Sequence, residues 1–182
     1  MKSLRTHHRK SIRLKEYDYS TPGEYFITIC TRNLVCILGE IVDGEMRLSK
    51  AGIIVKQCWE EIPKHFQNVE LDEHIVMPNH IHGIIILTEP VGAIHESPLR
   101  MTQYQRRTMK LSKIIGRFKI TAAKEINLLC RTPGHSVWER NYYEHIIRNK
   151  KNLNNIRDYI ANNPIQWFYD DENPNKQRNI TD

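Results

Sequence analysis

The order in which strands and helices are predicted along this chain limits the folds that it can adopt. After a strand at 24–32, the Asp43-Gly44 turn predicts a β-hairpin and Ser49 predicts the N-cap of a helix. The later elements are strands at 69–77, 80–89 and 137–148 and helices at 112–130 and 150–163, the last of which Pro164 ends. This order is not a parallel alternation. It predicts an α+β fold: an antiparallel sheet with helices packed on one face, close to the ferredoxin-like split βαβ plan.

The length of 182 residues fits one domain, here residues 23–167. The composition predicts a basic N-terminal arm over residues 1–22 and a polar C-terminal tail over residues 168–182. The arm lacks the apolar segment of a secretory signal, and no run approaches the length that spans a bilayer. The four cysteines show no CxxC pairing, which argues against a zinc knuckle or a disulfide framework. These features predict a cytoplasmic protein without a membrane partner.

The net charge of +6 points to a polyanionic partner only if the positive charge is concentrated in one place. On the helix at 112–130, the apolar residues cluster on one face and a narrow basic stripe lies away from it. The stripe and the arginine pair before it are Lys110, Lys113, Arg117 and Lys124, with Arg106 and Arg107. A phosphate backbone is the natural partner of such a stripe, although a solvated helix face is the alternative.

Two histidines, His80 and His82, begin the apolar strand HIHGIIILTE. Residues i and i+2 of a strand point to the same face, so both imidazoles project together and can reach one cation. The alternative is a pair of buried polar residues with hydrogen-bond partners. If they bind metal, an open site with Mg²⁺ or Mn²⁺ fits better than structural zinc, because no further Cys or His pair is suitably spaced.

The last predicted helix carries a tyrosine at the flank of its apolar stripe. Tyr159 and Asn163, at i and i+4, lie together on that flank, so Tyr159 can lean from the core toward a site on the sheet. From these residues alone, a tyrosine at the core margin beside a helix-capping asparagine is the simpler interpretation.

The ordered set of VMPNHIHGIII, the basic helix segment SKIIGRFK, VWERNYYEHIIRN and DYIANNPIQW resembles the single-tyrosine HUH transposases. The resemblance is greatest to the REP-associated tyrosine transposase branch of the insertion-sequence-200-like group, and it extends from about Gly23 to Trp167. It implies a ferredoxin-like HUH domain over residues 23–167.

The resemblance also implies roles for individual residues. His80 and His82 would bind a divalent metal, Mg²⁺ or Mn²⁺, and Tyr159 would be the catalytic nucleophile. Relatives often have Gln four residues after the tyrosine as a further metal ligand, and here that position is Asn163, with Asn162 as an alternative. The tyrosines at 142 and 143 would be structural.

The implied activity is cleavage and rejoining of single-stranded DNA through a 5′-phosphotyrosine intermediate, with recognition of hairpin or repeat sequences. The rejoining would need no ATP, because the broken phosphodiester bond is replaced by a phosphotyrosine ester that a 3′-OH can attack in turn. One alternative is a catalytically silent, domesticated relative that binds hairpin DNA or RNA as a regulator. A second is a replication or relaxase-type HUH nuclease, which is usually a larger chain. The sequence leaves monomer and homodimer open.

Overall fold

The computed structural model describes residues 20–88 and 110–176. The strands are β1 (Gly23–Cys30), β2 (Gly39–Val42), β3 (Glu45–Leu48), β4 (Val69–Val76), β5 (His80–Leu87) and β6 (Tyr143–Ile147). The helices are α1 (Lys50–Glu60), α2 (Ile62–His65), α3 (Lys110–Cys130) and α4 (Lys150–Gln166). Most of the predicted arm, together with Arg106 and Arg107, lies outside the described residues. No helix in these two ranges is both long and apolar enough to cross a membrane.

Four strands form an antiparallel sheet in the order β4-β5-β1-β6, and β2 pairs with β3 in a separate hairpin. Strand β1 therefore connects through α1 to β4 at the far edge, and β5 connects through α3 to β6 at the other edge. This is the split βαβ topology. The predicted α+β, ferredoxin-like fold class is confirmed.

One part of that prediction requires correction, because the helices occupy both faces of the sheet. Helices α1 and α3 pack on the face formed by odd-numbered residues of β1 and β5, such as Ile27 and Ile85. Helix α4 packs on the opposite face, where Leu153 and Ile160 meet Phe26 and Ile84. Strand β5 is buried along nearly its whole length, as expected of a central strand that is covered on both sides.

Local sequence signals set several element boundaries as predicted. The Ser49 hydroxyl accepts a hydrogen bond from the Gly52 amide (3.1 Å) and caps α1. The Asn149 side chain accepts one from the Asn152 amide (2.9 Å) and caps α4. Asp43 and Gly44, with φ of 54° and 79°, make the left-handed turn between β2 and β3.

The segment at 137–148, predicted as one strand, is mostly irregular, and only Tyr143–Ile147 forms β6. Val137 and Trp138 are buried in the α1/α3 core instead, and Trp138 makes a single bridge to Thr31. The burial of these two residues comes from packing against the helices and not from extended strand pairing.

Pro164 does not end the last helix, which continues to Gln166 and passes into a short 3-10 helix at Trp167–Tyr169. A proline in the last turn removes one backbone donor near the end of the helix, and its ring is buried here. Residues 170–176 then fold back on the domain, and Glu172 is buried. This part of the predicted tail belongs to the folded structure.

Candidate metal and nucleophile site

The candidate site lies on the sheet face that α4 covers. His80 and His82 stand at the start of β5, with Thr28 of β1 directly opposite His82. Both imidazoles are buried. The Phe26 ring stacks on the His82 ring (centroids 5.3 Å apart) and meets the Tyr159 ring edge-on (6.1 Å). The Phe26 ring therefore packs against the side chains of both His82 and Tyr159.

Each histidine has a neighbour that orients its ring through Nδ1. His80 Nδ1 lies 2.9 Å from Asn79 Oδ1, and His82 Nδ1 lies 2.9 Å from the Thr28 hydroxyl. An amide oxygen only accepts hydrogen bonds, so His80 Nδ1 carries a proton, which in the neutral ring leaves the lone pair on Nε2. Hydrogen bonds of this kind commonly fix the orientation of metal-binding histidines.

The two Nε2 atoms face each other at 3.0 Å. Two lone pairs at that distance repel unless a proton or a cation lies between or beside them. Two ligands at right angles on an octahedral ion, with bonds of about 2.1 Å, are also about 3.0 Å apart. The pair therefore has a spacing that suits a divalent cation.

Asp170 completes a candidate metal-binding group of three side chains. One ligand atom each of His80, His82 and Asp170 lies within 4.8 Å of the other two. Two imidazoles and a carboxylate suit Mn²⁺ and related divalent ions, and they leave coordination positions open for substrate oxygens. The donor set thus fits the divalent ion that the sequence implied.

The predicted ligand Asn163 borders this group. Its amide nitrogen donates to Asp170 Oδ2 (3.0 Å), while its buried Oδ1 has no hydrogen-bond partner among residues 20–88 and 110–176. A buried amide oxygen without a partner is costly, which is consistent with a cation beside it. The alternative residue, Asn162, is exposed and donates to the Asp158 carbonyl (2.8 Å).

Sequence reasoning missed Asp170 because it assigned this residue to a polar tail. The segment reaches the site through contacts that no local pattern encodes: Asn79 Nδ2 donates to the Glu172 carbonyl at 2.7 Å and to the Leu34 carbonyl at 3.0 Å. The one available signal was the Asp170-Asp171 pair directly after the aromatic residues 167–169.

The Tyr159 hydroxyl lies 3.2 Å from His82 Nε2, in the same chain. Tyr159 is 41% exposed, so its side chain contacts both His82 and the solvent. Ile160, the next residue, is buried against the sheet and holds this turn of α4 in place. The structure therefore brings the Tyr159 hydroxyl to His82, whose Nε2 atom faces that of His80, and the roles of these three residues stay a prediction.

An ion pair anchors the Tyr159 turn of α4 to the edge strand β4. The register of β4 is irregular between Leu71 and His74, and Asp72 lies in this irregular part. Arg157 donates from Nε (3.1 Å) and Nη2 (2.5 Å) to the Asp72 carboxylate, whose side chain is 13% exposed. These hydrogen bonds hold the pKa of Asp72 below its usual 3.8, although partial burial opposes them.

We expect Asp72→Asn to lower the free energy of unfolding at neutral pH. A depressed carboxyl pKa contributes stability above the unfolded-state pKa, and that contribution is lost as the pH falls through the folded-state pKa. The difference between wild type and variant should therefore close below about pH 4. Urea unfolding from neutral to acid pH measures it, with Glu70→Gln, an exposed carboxylate on the same strand, as control. A difference that stays constant with pH would contradict the assignment.

The predicted nucleic-acid-binding stripe lies on α3, on the sheet face opposite the site. Lys113 and Lys124 are exposed. The Lys110 amine donates to the Asn68 carbonyl (3.0 Å), and an Arg117 nitrogen lies 3.2 Å from His65 Nδ1. The stripe and the site do not converge, so nucleic-acid binding by these residues stays a prediction.

Comparison with known proteins identifies the family. No protein-family model matches the chain. An "Uncharacterized protein" of Haemophilus influenzae is 46% identical over 170 residues, which cover 90% of this chain and 92% of that protein. A second Haemophilus influenzae protein, named "Putative REP-associated tyrosine transposase", is 30% identical over 154 residues, or 84% of this chain and 76% of that protein.

A solved structure of a REP-associated tyrosine transposase bound to a REP hairpin has the same fold. The TM-score is 0.52 at 19% identity, over 87% of this chain and 74% of that one. The similarity in sequence along most of both chains and the shared fold lead to one conclusion: this chain belongs to the family of REP-associated tyrosine transposases.

Proposed function

We propose that this protein is a transposase that cleaves and rejoins single-stranded DNA, with Tyr159 as nucleophile and a divalent metal at His80, His82 and Asp170. The observation that carries the proposal is the 3.2 Å approach of the Tyr159 hydroxyl to His82 Nε2, beside the three metal-ligating groups. Nucleophile and ligands come from one chain, so a single subunit holds the parts that cleavage requires.

In the proposed reaction, the Tyr159 oxygen attacks the phosphorus of a DNA phosphodiester. The phenol, whose ordinary pKa is about 10, gives up its proton as the bond to phosphorus forms. The bond from phosphorus to the 3′ oxygen breaks, and that oxygen takes up a proton to leave a free 3′-OH and a 5′-phosphotyrosine. A second 3′-OH reverses the step and joins a different strand.

Mg²⁺ or Mn²⁺ at this site would supply positive charge to the phosphate and to the leaving oxygen. The chain's own residues prepare the position. Asn79 and Thr28 orient the two imidazoles, Asn163 holds the Asp170 carboxylate, and Phe26 supports both His82 and Tyr159. Because these supports are buried or packed, the groups are held before substrate arrives, which is how a site lowers the cost of reorganisation.

We propose DNA next to a hairpin as the substrate. The support is the similar transposase bound to a REP hairpin. The exposed residues Lys113 and Lys124 would bind phosphates of the hairpin or of the strand that leads from it. Such contacts would be sensitive to salt, because each neutralised phosphate releases counterions.

A covalent-adduct assay tests the proposal. Labelled single strands with a REP-type hairpin are incubated with the protein and Mn²⁺, and an SDS-resistant protein–DNA band is expected. EDTA should prevent the band, and a fully paired duplex of the same sequence should give none. Hairpin binding that survives EDTA, without cleavage of any hairpin-flanked strand, would instead indicate a binding protein that regulates.

A further inference from the structure

Two exposed aromatic rings lie in the short segment that joins α4 to Asp170 of the candidate site. Residues 167–169 are Trp, Phe and Tyr in the short 3-10 helix that follows α4. Phe168 is 47% exposed and Tyr169 is 63% exposed, and their ring centroids lie 5.4 Å apart. Ile165, which is 72% exposed, precedes them in the last turn of α4. Neighbouring exposed apolar side chains of this size commonly mark a binding surface.

The 3-10 geometry turns the three aromatic side chains in different directions, because it repeats every three residues. The Trp167 ring packs inward on His80, with centroids 5.9 Å apart. Phe168 and Tyr169 are left at the surface. Tyr169 immediately precedes Asp170, whose carboxylate belongs to the candidate metal group. The exposed pair therefore lies in sequence between Trp167, which packs on His80, and the candidate ligand Asp170.

The two rings are packed edge-to-face, with 85° between their planes, so that one ring supports the other. We propose that Phe168 and Tyr169 form a stacking platform, in which the face of one ring stacks on an unpaired nucleobase of the DNA strand that is cleaved. This inference rests on the proposed function, because it assumes that a single strand passes the site. Every base has a flat π face, so an aromatic platform binds single strands with little dependence on sequence. It would hold a nucleotide next to the scissile phosphate while Tyr159 attacks.

The other exposed apolar residues on the opposite sheet face differ in chemistry from Phe168 and Tyr169. Ile120, Leu128 and Leu129 are exposed on α3, but they are aliphatic and lie on the opposite face of the sheet. The exposed aromatic pair belongs instead to the segment that carries Trp167 and Asp170 to the site. The nearby charges also allow a phosphate backbone to pass: Asp171 beside the platform forms an ion pair with Lys176 (2.5 Å), which offsets its repulsion of phosphate.

The test compares two strands in the Tyr159→Phe background, where no cleavage interferes. The probes are a fluorescent oligothymidylate and an abasic strand of equal length, and anisotropy measures the Kd of each. We expect Phe168→Leu with Tyr169→Leu to weaken oligothymidylate binding about ten-fold, because the apolar area remains but the π faces are lost. Binding of the abasic strand should not change.

Two matched controls sharpen the comparison. The exchange Phe168→Tyr with Tyr169→Phe keeps both rings and should bind like the parent. Ile53→Ala removes an exposed aliphatic side chain from α1, on the other sheet face, and should also bind like the parent.

Three results would overturn the platform. In the first, the parent protein binds the oligothymidylate and the abasic strand with equal affinity. In the second, the leucine variant either loses the same affinity for both strands or keeps the parent's affinity for both. The third is a sedimentation coefficient that is lower for the leucine variant than for its parent, which would show that the rings form a contact between subunits. The adduct assay is separate, so the platform and the proposed reaction can fail independently.

Discussion

Replacing Tyr159 with Phe should abolish covalent attachment to DNA and leave DNA binding intact. The substitution removes one oxygen atom, the proposed attacking group, which lies 3.2 Å from His82 Nε2. The ring contacts with Phe26 and His82 (6.1 and 5.2 Å between centroids) need no hydroxyl, so α4 should keep its position. Without a nucleophile no phosphotyrosine can form, and the SDS-resistant band should disappear entirely.

Tyr143→Phe is the matched control. Tyr143 also packs against Phe26, with centroids 6.2 Å apart, but it lies on β6 and has no contact with the candidate metal group among the described interactions. This variant should still form the adduct at close to the wild-type rate. An adduct that persists in Tyr159→Phe, or that is lost in Tyr143→Phe alone, would exclude Tyr159 as the nucleophile.

Asp170→Ala should weaken Mn²⁺ binding more than any change to the residues that support the site. Loss of an orienting partner typically reduces metal affinity about 10–100-fold, and loss of a direct ligand should exceed that range. Asn163→Ala should fall within the range if Asn163 acts mainly by holding the Asp170 carboxylate. Titration of free Mn²⁺ by electron paramagnetic resonance measures both affinities without any DNA.

Asp171→Ala controls for the loss of a nearby negative charge. Its carboxylate pairs with Lys176 and lies outside the metal group, so Mn²⁺ affinity should stay near wild type. Circular dichroism would verify that each variant is folded. If Asn163→Ala weakened Mn²⁺ binding more than Asp170→Ala, the amide would be the principal third ligand, as the sequence predicted.

The sequence predicted the parts of the site that a regular element presents. His80 and His82 share a strand face by alternation, and the apolar stripe of its helix puts Tyr159 at the core margin. The role of Tyr159 as nucleophile came only from the resemblance to the HUH transposases. Asp170 could not be found in this way, because Asn163 holds its carboxylate and Asn79 holds the nearby Glu172 carbonyl at the site. Such contacts join positions far apart in sequence, and periodicity carries no information about them.

The same distinction applies to the fold. Strand order followed from the succession of elements, and the hairpin and helix caps followed from local residue types. Helix α4 lies on the other face of the sheet from α1 and α3, so β1 and β5 are buried on both faces. An apolar run such as HGIIIL does not show from sequence alone whether one face of a strand or both faces are covered. Pro164 misled the prediction of a helix end because one missing backbone donor in a last turn is tolerated.

Peptide mapping of the DNA-linked protein tests the central claim most directly. After incubation with Mn²⁺ and a hairpin-flanked single strand, the adduct is digested with nuclease and protease, and mass spectrometry locates the residue that carries the 5′-phosphate remnant. We predict that the remnant is on Tyr159, in the peptide that contains DYIANNP. A remnant on any other residue, or no linked peptide under conditions where the strand is cut, would contradict the proposed mechanism.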